Sequence, residues 1–350
     1  MLDLDYIYTS QLPNDNANSI HVAHFSEALS IEFNFRLFTF LGGTNEDIYH
    51  HYAIDNKFCI QKMSKNKYLC ILKLLFTNKL KKNIYVRDFF CALLLALCGK
   101  RVIWESHVFS DKFIYKLGYK LASLLNLFCK VVVITEALKQ KHIKNFDSEK
   151  VLVLADGCRV QRKPKCHFSK KTLNIGYVGS FYKGKGVDTV IKIAKELPEH
   201  YFKIAGGSKK DIVNATKISS KNVIFAGYLN QKELINFYKD IDVGLLPNKP
   251  SVRINNNGQE IGNVTSPLKL FEYFSFGIPI IASDLDVLRE VLNKSNSILV
   301  NYDDINGWYK AIKQLEDNKL RTELSIKGLE ELQDKYSWSK RAEKISKLLQ

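Results

Sequence analysis

No stretch of this 350-residue chain reaches about 18 uninterrupted apolar residues, so no membrane-spanning helix is expected. The opening MLDLDYIYTSQ is acidic and strand-like. It lacks the positive end and apolar run of a signal peptide, which makes the cytoplasm the expected location. Cysteine is sparse and scattered: Cys59, Cys70, Cys91, Cys98, Cys129, Cys158 and Cys166 never form a CxxC pair. An odd, scattered set argues against a disulfide framework and against a zinc site. The dinucleotide pattern GxGxxG and the Walker spacing are missing from its glycine-rich loop. No repeat of short period is present.

What is present begins with length and charge. A chain this long suggests two domains. Hydrophobic residues make up 46% and aromatics 12%, which fits a packed globular protein. Lys and Arg number 52 against 36 Asp and Glu, a net charge of +16. The first 170 residues are the more basic part. Such a balance favours an anionic partner: a phosphorylated ligand, nucleic acid or an anionic lipid surface.

Short β-branched runs alternate with longer helical stretches, the pattern of parallel sheets with covering helices. Strands are expected at 5–10, 34–43, 83–87, 100–106, 129–135 and 150–157, with helices over 111–128 and 136–145. The basic, pattern-poor segment 161–172 reads as a linker. The alternation then restarts, with strands at 173–179, 201–207, 222–229, 241–247, 277–283 and 297–301, a helix over 187–197, and a largely helical tail from Asp303. The expected fold class is α/β, with two Rossmann-like parallel-sheet domains, 1–160 and 173–335, facing a cleft. Ligands in such sheets bind at the carboxyl ends of strands.

Two loops carry chemistry. In GYVGSFYKGKGVD a strand ends near Val178, glycines follow at Gly179, Gly184 and Gly186, and a helix begins near Val187. Glycines admit an anion to the backbone, a helix start adds partial positive charge, and Lys183 and Lys185 add full charges. The loop is either a diphosphate cradle or a flexible basic turn. In SPLKLFEYFSFGIPIIAS, Ser266 is expected to cap a helix, with Pro267 at its first position. Leu270, Phe271 and Phe274 share the core face, while Lys269 and Glu272 share another. That pair is either a surface ion pair or a reader of phosphate and hydroxyl groups, which together describe a nucleotide sugar.

These motifs, with YVRD (85–88), VIWESH (102–107), VVVITEALK (131–139) and VLADG (153–157), make the chain resemble the retaining GT-B glycosyltransferases of family 4, the group 1 transferases. The resemblance covers nearly the whole chain. It implies that Glu272 binds the donor ribose and that Lys185 neutralises the leaving diphosphate. It also implies that Ala205–Gly207, including Gly206 and Gly207, and Gly227, Tyr228 and Leu229 line the base. His107 would reach the sugar ring. Ser180, Thr265 and Leu268 complete the expected donor-binding set. Two positions depart from the family: Val264 stands where the first glutamate of its E-x7-E element would fall, and Ser180 replaces a common arginine. Lys183 or Lys269 could supply the missing charge.

Preorganised lysines and helix N–H groups stabilise the departing phosphate most as its charge develops, so metal independence is expected and no cofactor is assigned beyond the nucleotide-sugar co-substrate. DLD at 284–286 reads as a helix cap. On the acceptor side Asn18, His21 and Arg87 are the candidates. His21 and His24 are expected at the surface, and Arg87 is expected to pair with Asp88. The basic stretch 65–83 is either a helix lying on an anionic membrane or a sheet cover. The C-terminal helix, about 336–350, is expected to return to the first domain, as in the resembled family.

The reading is a glycosyltransferase moving sugar from a nucleotide-sugar to a glycan or lipid-linked acceptor with retention, in surface polysaccharide or glycoconjugate synthesis. Any membrane attachment would be peripheral, on the inner face. The alternatives are a nucleotide-sugar epimerase or hydrolase, a non-catalytic scaffold, or a nucleic-acid-binding protein. The last ranks low because the aromatics sit within strands and apolar helix faces rather than among exposed basic residues, and nucleic acid is not expected as a partner.

Overall fold

Every strand pairing among the described residues is parallel, as buried β-branched runs joined by helices require. Residues 1–64, 66–160, 170–252, 262, 264 and 266–350 are described by the structure, a computed structural model. The chain divides into two compact units: Met1–Gly157 with Trp338–Gln350, and Cys158–Ser337. Most of the expected linker, 161–169, lies outside the described residues.

The first unit holds seven strands: β1 (Leu2–Leu12), β2 (Phe33–Leu41), β3 (Cys59–Lys62), β4 (Asn83–Val86), β5 (Arg101–Ser106), β6 (Phe128–Val133) and β7 (Val151–Val153). Their order is β3-β2-β1-β4-β5-β6-β7. The second unit holds β8 (Asn174–Val178), β9 (Tyr201–Ala205), β10 (Val223–Gly227), β11 (Val243–Leu246), β12 (Ile280–Ser283) and β13 (Ser297–Val300), in the order β10-β9-β8-β11-β12-β13. In each sheet the chain starts in the middle, winds to one edge, then returns to build the other side. The direction reverses between β1 and β4 and between β8 and β11. The carboxyl ends of those strands are where such sheets take ligands.

Several elements differ from their sequence expectations for visible reasons. The edge strand β3 is missing from the sequence reading because only Ile60 in it is buried, leaving no alternation to detect. The helix expected over 111–128 spans Phe113–Leu124. Asn126 stops it at a positive φ of 52°, with the Leu127 N–H returning to the Ala122 carbonyl. The basic stretch 65–83 contains a helix only over Lys67–Phe76, stopped in the same way by Asn78 at φ 48°. β7 ends at Val153 because Leu154 and Ala155 turn their carbonyls to Arg341.

The C-terminal helix Trp338–Leu349 packs against helix Ala17–Glu32 within the first unit. The second unit's core gathers Ile175, Phe202, Ile204, Leu245, Ile281 and the fully buried Trp308 between sheet and helices. Among the described residues, no helix is long and apolar enough to cross a membrane.

Candidate functional site

In the second unit, β8 ends at Val178 and the glycine-rich loop runs to helix Val187–Glu196. Gly184 and Gly186 have φ of 86° and 82°, conformations that L side chains rarely adopt. A Cβ on either would stand 1.9 Å from a backbone carbonyl, of Ser251 or of Pro247. The loop is thus pressed against the segment that follows β11, and the Lys249 N–H donates to the Gly184 carbonyl at 2.8 Å. Lys185, between the two glycines, is held at the switch point of the sheet.

Among the described residues, the half-buried Lys185 ammonium has no carboxylate in ion-pair range. Burial, and then the neighbouring charge of Lys269, push its pKa down to about 8. Two cations that repel each other with no paired acid on one of them leave the site short of negative charge. Side chains carry most of this attraction. The Gly179 N–H already donates to the Ala205 carbonyl, and the Lys185 N–H to that of Tyr182, each at 3.0 Å. Lys183 is exposed on the same loop. The Ser180 carbonyl accepts the Tyr177 hydroxyl at 2.9 Å.

Lys269 stands on helix Leu268–Ser275. Ser266 does not cap this helix, contrary to expectation. Pro267 occupies the cap position in an extended conformation, φ −75° and ψ 119°, with no side-chain cap bond. The residue before a proline is kept out of helical geometry, so Ser266 falls one position too early. Leu268, Leu270, Phe271, Tyr273 and Phe274 are buried and fix the helix orientation. That leaves Lys269 and Glu272 half-buried on another face, with Nζ and Oε2 at 3.8 Å.

The surface-pair reading therefore describes the geometry, but it omits a third group. The buried Tyr238 hydroxyl donates to Glu272 Oε2. Burial and the Glu272 charge hold that phenol well above its ordinary pKa, so it stays a donor. Its ring stacks on Phe276 at 4.9 Å. Sequence reasoning missed Tyr238. It is the buried residue of helix Gln231–Asp240, and its separation of 34 positions from Glu272 leaves no local pattern to find it by.

Nearby, the Gly206 N–H donates to the Gly227 carbonyl at 2.6 Å and ties the ends of β9 and β10 together. Gly207 lies against the Phe181 ring, with no room for a Cβ. Leu229 is half-buried and Tyr228 exposed. Thr265 lies outside the described residues. Asp284 is not a helix cap; it holds Arg289 through two hydrogen bonds, at 2.5 and 2.6 Å.

The first unit builds a different cluster at the carboxyl ends of β4, β5 and β7. Its centre is Glu105, the penultimate residue of β5, with no solvent exposure. Tyr85 donates its hydroxyl to Glu105 Oε2, and His107 Nε2 donates to Oε1. Arg341, from the C-terminal helix, lies 3.2 Å from Oε2, and Arg87 3.6 Å from Oε1. His21 is fully buried rather than exposed: Nδ1 donates to Asp156 at 2.9 Å while Nε2 lies 3.3 Å from Glu105. It is held there because Phe25 and Trp338 pack on its ring. His24, also expected at the surface, is only partly exposed and lies 4.0 Å from Glu27.

Arg87 does not pair with Asp88. Asp88 instead accepts the Cys91 N–H, as a helix cap does, and takes Lys67 at 2.5 Å. The free arm of Arg87 donates to Asn18 Oδ1 at 3.1 Å, joining two of the expected acceptor-side residues.

Burial alone would raise the Glu105 pKa, but His21, Arg341 and His107 hold it well below its ordinary value. Burial lowers His21 to about 4 against the pull of Glu105 and Asp156, and lowers His107 too. The cluster is therefore two carboxylates balanced by two guanidinium groups, with two neutral imidazoles. His21, Glu105 and His107 place ligand atoms within 4.8 Å of one another. Arg87 and Arg341 already hold that carboxylate, so the donor set suits no cation. Glu105, Asp156 and Arg341 escaped sequence reasoning. They come from segments far apart in the chain, and only Glu105, two residues before His107, was within reach of a local pattern.

Comparison with known proteins agrees with this architecture. Residues 172–318 match the family described as Glycosyl transferases group 1. The HepE protein of Anabaena, solved in complex with UDP, superposes with a TM-score of 0.74 at 12% identity, covering 99% of each chain. Sucrose-phosphate synthase from Thermosynechococcus elongatus gives 0.71 at 16% identity, covering 100% of this chain and 98% of its own. The protein thus has the GT-B fold, and its second unit carries the domain of a glycosyltransferase.

Two relatives are nearer in sequence. A 41.2 kDa protein in the cps region of Klebsiella pneumoniae is 30% identical over 154 residues, 42% of this chain and 39% of that protein. A glycosyltransferase of Methanocaldococcus jannaschii is 24% identical over 261 residues, 69% of this chain and 62% of its own length. The matches thus span less than two thirds of either relative.

Proposed function

We propose that this protein transfers a sugar from a nucleotide-sugar donor to a glycan or lipid-linked acceptor, with retention, as a family 4 enzyme of surface polysaccharide assembly. The observation that carries the proposal is Lys185. It is a half-buried cation without an acid partner among the described residues, near a second cation at the switch point of a parallel sheet. A diphosphate supplies the missing charge. As the sugar–phosphate bond breaks, negative charge grows on the leaving group, and fixed cations stabilise it more than they stabilise the intact donor.

Lys185 and Lys269 take the diphosphate, and Glu272, aimed by Tyr238, accepts hydrogen bonds from the ribose hydroxyls. Gly206, Gly207, Tyr228 and Leu229 border the base. His107, oriented by Glu105, acts on the sugar ring, and the Arg87–Asn18 pair belongs to the acceptor side. Lysines in the role a metal would fill make the reaction metal-independent. The UDP bound by the Anabaena neighbour supports a uridine donor, and the cps-region relative supports a polysaccharide product.

The test is calorimetric binding of UDP-, GDP-, ADP-, CMP- and dTDP-sugars to the wild type and to Glu272→Ala. Binding of one nucleotide class, weakened at least tenfold by the substitution, is the expected result. Binding of none, or equal binding by the variant, removes the donor site.

A further inference from the structure

Helix Phe113–Leu124 in the first unit is packed on one side only. Gly118, Tyr119 and Ala122 are buried, and Gly118 meets the Phe89 ring where a Cβ would stand 2.6 Å away. The opposite side presents Phe113, Ile114, Leu117, Leu121 and Leu124 to solvent, 82%, 60%, 58%, 38% and 73% exposed, with Leu125 following. At 3.6 residues per turn these side chains fall within an arc of about 120°. Lys112, Lys116 and Lys120, all exposed, line one edge of that arc a turn apart. Apolar arcs this wide on a helix with a cationic edge are partner surfaces rather than ordinary solvent-facing positions.

The lysines along its edge, and the basic stretch of chain that contains it, identify the partner. Residues 57–130 carry fifteen Lys and Arg but only three acids, Asp88, Glu105 and Asp111. Asp88 is engaged with Lys67, Glu105 is fully buried, and Asp111 pairs with Lys116 at 3.4 Å, while Lys57 and Lys81 pair outside the stretch, with Glu46 at 2.8 Å and Asp3 at 3.2 Å. Most of the net charge of +16 therefore lies in this stretch. A second copy of the chain would bring the same lysines to the contact, and nucleic acid would leave the apolar arc uncovered. An anionic bilayer satisfies both: headgroup phosphates meet the lysines and acyl chains receive the apolar arc.

We propose that helix Phe113–Leu124 docks the first unit on an anionic lipid bilayer, lying in the plane of the interface. Its purpose rests on the sugar-transfer reading, because docking brings the unit to a lipid-linked acceptor, but its test does not use transfer. The sequence offers 65–83 instead, open between a helix lying on an anionic membrane and a sheet cover. Helix Lys67–Phe76 exposes Tyr68, Leu69 and Phe76, a shorter arc, and ranks second.

The test uses the full chain in vesicle flotation. The vesicles are phosphatidylcholine alone, or phosphatidylcholine with about one third phosphatidylglycerol. The wild type is expected to float with the acidic vesicles only. Leu117→Asp should weaken this at least tenfold with thermal midpoint and UDP affinity unchanged, while Leu69→Asp has the smaller effect. Phe113→Trp places a reporter on an exposed position against buried native Trp104, Trp308 and Trp338. Its emission should shift to the blue with acidic vesicles and be quenched by brominated acyl chains.

Absence of flotation, equal flotation with both vesicles, or flotation that Leu117→Asp leaves intact overturns the proposal. So does a concentration-dependent dimer that Leu117→Asp dissociates. UDP affinity measured on the same variants reports on the donor site separately, so either reading can fail alone.

Discussion

If Lys185 binds a diphosphate, donor affinity must depend on the protonation of that one side chain. In the free protein its pKa is about 8, lowered by burial and by Lys269. A bound diphosphate favours the charged form and raises that value. The sign follows: below about pH 8 the lysine is already charged and affinity is flat, and above it affinity falls with a slope approaching tenfold per pH unit. Between about pH 7 and about pH 9 the loss is about tenfold, and each binding event at the upper pH takes up about 0.9 proton.

Calorimetry with UDP-glucose in buffers of different ionisation enthalpy reads both quantities. The control is Lys185→Arg, whose guanidinium stays charged throughout. Its affinity is lower from misfit, but this component of the pH slope vanishes, as does the proton uptake. A wild type with no slope, or an arginine variant with the same slope, refutes the assignment of Lys185 to the diphosphate.

Other consequences are separable. Tyr238→Phe removes a hydrogen bond that Glu272 already holds in the free protein, so the fold loses roughly 1.5–3 kcal/mol, read by urea melts, while donor affinity falls by less, read by the same titration, with the stacked ring on Phe276 retained. His107→Gln leaves UDP affinity unchanged and lowers turnover about a hundredfold, measured as UDP release in the presence of acceptor.

Stability is expected to drop in mild acid. His21 and His142 have folded pKa values of about 4 and about 3, below the ordinary 6.5, so the unfolded chain binds more protons across that window. Each histidine therefore contributes up to about 1.4 kcal/mol of stability per pH unit. That contribution is full above about pH 6.5 and is lost toward pH 4; urea melts at several pH values measure it, and His21→Gln should flatten the profile. Truncation after Lys335 removes Arg341 and Trp338 from the first unit. It should destabilise that unit by at least the roughly 3–5 kcal/mol of a broken buried ion pair; a truncated protein that melts like the full chain would show that the C-terminal helix is dispensable.

The sheets were legible because their strands are short β-branched runs that repeat at helical intervals, a signal surviving even where ends shift by a few residues. β3 was not, since Ile60 is its lone buried side chain. Helix ends at Asn78 and Asn126 were missed because a left-handed asparagine stop looks like any polar residue within a basic helix. At the second unit's site, local spacing was enough to single out Lys185, Lys269 and Glu272, because each sits within a few residues of a glycine turn or a helix start. Tyr238 was not visible, because it reaches Glu272 from 34 positions away. His21 was misread for a similar reason. Its neighbours along the helix suggest a surface, but the groups that bury it are Trp338 and Asp156.

That buried cluster bears on what the first unit is for. Taking Glu105, Asp156, Arg87 and Arg341 out of water costs several kcal/mol per ion, and apolar residues of similar volume would pack there at lower cost. Stability alone therefore does not account for it. What the charges achieve is direction. Arg341 and Tyr85 hold one oxygen of Glu105, and the other, with Arg87 at 3.6 Å, fixes the ring of the partly exposed His107. A catalytic or binding imidazole needs its tautomer and angle set by the partner on its second nitrogen. Because Arg341 arrives on helix Trp338–Leu349, that orientation depends on this helix being docked on the first unit. Arg341→Met should therefore change turnover through His107 even in molecules that remain folded.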